Sequence, residues 1–135
     1  MALEQYSGMR TAIIGGLDNI TGLKNYKEEP DAIPALPFSI LGNGEIDYST
    51  DFGGGHNVRF RLFLAVSEAT SSDSFGKLDD YLASTGTKSV KARIEAATIG
   101  NGFVVVRRAE NVGHVRYRDR TMVGAEFIIE VQSGG

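Results

Sequence analysis

Apolar residues recur at Leu3, Tyr6, Met9, Ile13 and Leu17, a spacing that forms one stripe along an amphipathic helix. Gly15-Gly16 weakens its last turn, so the pattern predicts a helix that ends between Gly15 and Ile20. Pro30, Pro34 and Pro37 come next. Each fixes φ and lacks an amide donor, so this segment reads as irregular, or as an edge strand. From there the period changes to two. Residues 38–41 lead into a turn at Gly42-Asn43-Gly44, followed by a strand over 45–50. Residues 57–67 alternate most cleanly, with Val58, Phe60, Leu62, Leu64 and Val66 on one face and Arg59 and Arg61 on the other.

Ser71-Ser72-Asp73 offers capping oxygens for a helix whose apolar face is Phe75, Leu78 and Leu82. Gly86 suits the left-handed stop of that helix. Thr87 or Ser89 then caps a second short helix, with Val90, Ile94 and Ala97 inward. Three more strands are expected, over 103–109, 112–117 and 122–132, the first two joined by a tight connection at Asn111 and Gly113. The last strand puts Val123, Ala125, Phe127, Ile129 and Val131 on one face. This order implies an α+β fold: a mainly antiparallel sheet with an N-terminal helix and two short central helices packed on one face. At 135 residues the chain reads as a single domain, 1–135, with an extended glycine-rich loop at 51–57.

Little in the sequence points to catalysis or to a cofactor. His56 and His114 are the only histidines, and neither has a carboxylate or second histidine at ligand spacing, so no metal site is expected. The loop Asp51-Phe52-Gly53-Gly54-Gly55-His56 lies between two strands, whereas a nucleotide-binding loop needs a helix after it. It reads as a flexible hairpin tip, of the kind that often contacts partners. There is no Gly-x-Ser-x-Gly elbow, and the neighbours Asp79 and Asp80 point about 100° apart on a helix, so they cannot converge on one bond. The expected catalytic, cofactor and metal residues are therefore none. No apolar run approaches the ~18 residues of a membrane span, and no signal peptide is expected. With no cysteine, disulfides are excluded, which fits synthesis in a reducing cytoplasm.

Charge is unevenly placed. The net value of −3 does not suggest a dedicated nucleic-acid binder. Residues 1–85 carry six basic and twelve acidic side chains, whereas residues 86–120 carry eight basic and three acidic ones. Within the second group, Arg107-Arg108 with Arg116, Arg118 and Arg120 is the strongest polar signal. It has three readings: a solvated sheet face, an edge that docks acidic residues of an identical neighbour, or passing contact with DNA phosphates. Strand alternation puts Arg116 and Arg118 on one face and turns Arg107 and Arg108 opposite ways. Docking to a neighbour ranks above DNA, because no aromatic platform accompanies the arginines.

Several short motifs stand in a telling order: Ile20-Thr21-Gly22-Leu23 after the first helix, Pro30-Asp31-Ala32, Glu45-Ile46-Asp47-Tyr48, the glycine-rich loop, and Arg59-Phe60-Arg61 leading to Ala65-Val66-Ser67. Leu78-Asp79-Asp80-Tyr81-Leu82, Ser89-Val90-Lys91-Ala92 and Gly124-Ala125-Glu126-Phe127 follow. In that order the chain resembles the tail terminator (tail completion) proteins of long, non-contractile-tailed phages, especially those infecting actinobacteria. The resemblance implies a structural virion protein at the head–tail junction. It would form a homohexameric ring that caps the tail tube, ends its polymerisation and meets the head connector or stopper. Its partners would be itself, the tail tube protein and the connector, with DNA passing through the lumen. A ring needs one patch to meet a different patch on the next subunit, and segregated charge can supply both. Phe52, Gly53, Gly54, Gly55, His56, Arg116 and Arg118 are the candidate interface residues. The alternatives are another neck component, such as a stopper or adaptor, or a small α+β ligand-binding domain or enzyme, which would require a pocket with converging polar groups.

Overall fold

The computed structural model describes residues 6–42, 44–47, 56–68, 74–97 and 103–133. Helix α1 spans Tyr6–Leu17 and is followed by strands β1 (Lys24–Tyr26), β2 (Phe38–Leu41), β3 (Glu45–Asp47) and β4 (His56–Glu68). Helices α2 (Ser74–Leu82) and α3 (Val90–Glu95) precede two long strands, β5 (Phe103–Tyr117) and β6 (Arg120–Ser133). All strands join one six-stranded sheet in the order β1-β2-β4-β6-β5, with β3 also paired to β4. Only the β1–β2 pair is parallel. The expected α+β architecture, with the helices on one face, is what forms.

The helix-side core follows from the two periodicities. Met9, Ile13 and Leu17 of α1, Leu78 and Tyr81 of α2, and Val90 and Ile94 of α3 are buried. They meet the alternating faces of β4 (Val58, Phe60, Leu62, Leu64, Val66) and β6 (Val123, Ala125, Phe127, Ile129, Val131) in one cluster. Ser89 caps α3, its Oγ accepting the Ala92 N–H at 3.0 Å, and Gly86 has the expected positive φ of 112°. The proposed capping residues of α2, Ser71 to Asp73, lie outside the described residues.

The reverse face of the sheet is divided along the strands. Toward the end of β4, Phe38, Ala65, Val115, Tyr117 and Met122 make a second, smaller core, with Ile33 and Leu36 of the proline segment packed on it. The rings of Phe38, Phe63 and Tyr117 lie 5.5–6.2 Å apart, centre to centre. The proline segment is thus a lid over the reverse face, not an edge strand; that place is taken by β1. Toward the start of β4 the same face is polar.

Two expected reversals turn out to be bulges. Gly42 to Gly44 does not turn the chain back, because β2 and β3 both lie antiparallel to β4, from Phe38↔Ala65 down to Asp47↔Asn57. The register slips by one residue between Leu41↔Leu62 and Glu45↔Arg59, so a single edge is kinked, not folded. Likewise Asn111 (φ 52°) and Gly113 (φ 121°) interrupt one continuous strand, β5, at a register shift between Glu110 and Gly113. The actual reversal is the two-residue turn Arg118-Asp119, with φ of 48° and 65°, between the paired Tyr117 and Arg120.

Gly124, opposite Gly113 on β5 and Ala65 on β4, lies against the β4 backbone. A Cβ built there would sit 1.9 Å from the Leu64 carbonyl oxygen, so backbone would have to move. Gly124→Ala is expected to cost about 2–4 kcal/mol of unfolding free energy. Urea denaturation checks this; a midpoint equal to that of the unsubstituted protein would show that the seam yields freely.

Candidate functional site

The polar half of the reverse face is built by arginines and glutamates on neighbouring strands. On β4, Arg59 lies 3.7 Å from Glu130 and 3.8 Å from Glu45, and Arg61 lies 2.9 Å from Glu126 and 3.1 Å from Glu110. On β5, Arg107 donates to Glu130 at 2.8 Å, and Arg108 donates to Glu110 at 2.5 Å. Asn111 Nδ2 adds a hydrogen bond to Glu126 at 2.8 Å. Arg107 and Arg108 therefore do not point opposite ways. A bulge between Val106 and Arg108 inserts one residue, and both guanidiniums reach carboxylates of the same face.

Glu130 is the most enclosed member, its side chain 10% exposed. The Arg107 guanidinium beside it holds its carboxyl below the ordinary value of 4.5, against burial that pushes it up, with Gln132 and Arg59 adding to the depression. Glu110 is lowered as well, by Arg108 first and Arg61 second. On the edge of β5, burial raises Glu95, but the Lys91 ammonium and the Val106 N–H together bring it below its usual value.

The two arginines expected to share a docking face are separated by the hairpin. Arg116 lies in β5 opposite Thr121, is exposed, and makes no ion pair with a described residue. Arg118 is not on a strand face. It occupies the first left-handed position of the turn and reaches back over the proline segment, donating to the carbonyls of Asp31 at 2.8 Å and of Pro30. It pairs with Glu29 at 3.4 Å and lies 5.1 Å from the Tyr117 ring centre. It serves as a tether for the lid. Sequence reading missed this because strand alternation had been carried through a residue that is in fact a turn.

Phe52, Gly53, Gly54 and Gly55 lie outside the described residues. His56 was expected in the glycine-rich loop; instead its backbone opens β4, opposite Ser133, and Asn57 pairs with both Asp47 and Gln132. The strand starts earlier than expected because β6 runs on to Ser133 and provides a partner. His114 lies within β5, opposite Val123, not at a strand end.

A cleft of about 530 Å³ lies between α2, the end of β4 and the α1–β1 turn, lined by Ser67, Glu68, Lys77, Asp80, Tyr81 and Lys88 among others. Among the described residues that line it there is no histidine, and Ser67 Oγ is buried without a hydrogen-bond partner among them. Among the described residues no group of three acidic or histidine side chains could hold a metal ion, and no helix is long and apolar enough to cross a membrane.

No protein family and no curated protein matches the chain. Among solved structures it is similar to a chain from the virion of a native gene transfer agent particle. The TM-score is 0.57 at 18% identity, covering 93% of this chain and 94% of the other. At that identity the likeness is one of fold, and it runs nearly end to end.

A carboxylate whose folded pKa is depressed stabilises the fold fully above its unfolded value and loses that contribution as pH falls toward the folded one. For Glu130 the window therefore opens near 4.5 and extends below it. Glu130→Gln is expected to cost about 1–3 kcal/mol near neutral pH. It should also flatten the fall of the urea midpoint between about pH 5 and pH 3. Parallel midpoint curves for the two proteins would contradict this assignment.

Proposed function

We propose that the chain is a structural protein of a phage-like virion, acting as a tail terminator. Identical subunits form a ring, six in the family the sequence resembles, which caps the tail tube, ends its polymerisation and offers a surface to the head connector. The protein would be made in the host cytoplasm and then sit at the head–tail junction. The observation that carries this reading is the near end-to-end likeness of fold to a chain of a phage-like virion. It is supported by the order of motifs along the sequence.

The arrangement of charge refines which residues would meet a neighbour. Arg59, Arg61, Arg107 and Arg108 are neutralised within the subunit, and Arg118 is spent on the lid. Arg116 is left to meet an acidic surface of the next subunit. The segment Phe52 to His56 is proposed to reach toward the tube or the adjacent subunit. Contact with passing DNA is the weaker role, because a face of paired charges offers few cations to phosphates.

Negative-stain imaging of the purified protein, alone and mixed with tail tubes, tests the reading. Rings, or caps that stop tube growth, are expected; tubes that lengthen unchanged and bare would end it. Arg116→Glu should reduce ring formation by native mass spectrometry while shifting monomer stability by no more than about 0.5 kcal/mol. Arg118→Glu is expected to destabilise the monomer itself, so only the first variant probes the contact.

A further inference from the structure

The sheet has two borders. One is β5; the other is β1, with β3 further along. The start of β5 is closed off by α3, where the Glu95 carboxylate accepts the Val106 N–H at 2.9 Å. Beyond Val106 no described strand pairs with its outer side. On this open stretch stands Val112, 53% exposed, the one large apolar side chain exposed among the described residues. Open strand borders are normally blunted or covered, and an apolar residue on one marks a place where another strand adds.

The registers identify what fits. One row across the sheet runs Lys24↔Phe38↔Ala65↔Gly124↔Gly113, and another runs Tyr26↔Ile40↔Phe63↔Glu126↔Glu110. Thus β1 lies at the same height along the strands as the Glu110–Gly113 bulge. Following the pairings across, β1 also runs antiparallel to β5. A second copy, rotated about an axis along the strands, would therefore present its β1 antiparallel to β5 and level with Val112. Self-pairing of two β5 strands centred on Val112 would instead set Arg108 opposite Arg116 twice, and like charges directly opposite are unfavourable. We infer that β1 of one subunit, Lys24–Tyr26, adds to the open border of β5 around Val112 of the next, extending the sheet from subunit to subunit. This rests on the ring reading and specifies its contact: two different borders meet, so the contact propagates until the ring closes.

Within one chain the two borders are four strand spacings apart, roughly 19 Å, whereas a disulfide needs Cα atoms within about 7 Å. A Lys24→Cys/Val112→Cys protein can therefore cross-link only between subunits. On oxidation it should give a ladder ending at the closed ring on a non-reducing gel, while each single-cysteine protein stays at one subunit. Val112→Lys should raise the concentration needed for ring formation roughly tenfold or more, with an unchanged thermal midpoint. Dimers from Val112→Cys alone, rings imaged in the same sample without a ladder, or normal assembly of Val112→Lys would each overturn the contact and leave the ring standing. A protein lacking these substitutions that forms no ring, alone or on tail tubes, would remove both.

Discussion

Where Gly124 passes the Leu64 carbonyl there is no space for a side chain, and β4 and β6 lie side by side from His56↔Ser133 to Glu68↔Met122. This seam joins the two strands with the cleanest alternation in the chain. Their shared apolar face is the floor on which all three helices rest. Their other face has to suit two environments at once. It carries arginines and glutamates at one end and Phe63, Ala65 and Met122 at the other, under the proline segment. A shift of one residue in that seam would exchange the two faces along the whole length.

The polar half shows how the fold disposes of charge. Each guanidinium of Arg59, Arg61, Arg107 and Arg108 has a carboxylate on its own or an adjacent strand. Cross-strand pairs of opposite sign favour one register and disfavour its neighbours, though each exposed pair contributes little. Elsewhere a buried polar residue is treated the same way: Ser39, fully buried, donates to Asn25 Oδ1 at 2.6 Å, and Asn25 donates to Asp18 at 3.0 Å. Arg10 works at a larger scale, tying α1 to the carbonyls of Leu41 at 3.0 Å and Gly42 at 2.8 Å.

Much of the fold was legible because period and burial agree. The stripe of α1, the alternation of β4 and β6, and the Ser89 cap are local signals that tertiary packing reinforces. The reversals were not legible in the same way. Glycine and asparagine announce a positive φ at Gly113 and Asn111, but the chain reverses there only if its partner strand ends, and β6 does not. The true turn, Arg118-Asp119, falls between the strands expected over 112–117 and 122–132, but it carries no glycine to mark it as tight, and alternation extended past Tyr117 gives Arg118 a strand face. Errors about side-chain direction then followed: one unseen bulge put Arg107 and Arg108 on opposite faces, and one unseen turn gave Arg118 a face it does not have. The reverse-face core was hidden for another reason. Its lid is irregular, and no periodicity marks Ile33 and Leu36 as partly buried partners.

The bulges have an evolutionary corollary. Along most of β4 or β6 a gained or lost codon would turn every following side chain to the wrong layer. At the slips near Leu41, Val106, Glu110 and Ala65, spacing is already irregular, and one residue more or fewer can be taken up locally. Length differences among homologous chains should therefore gather at those four points, while the stretches between them keep a constant count.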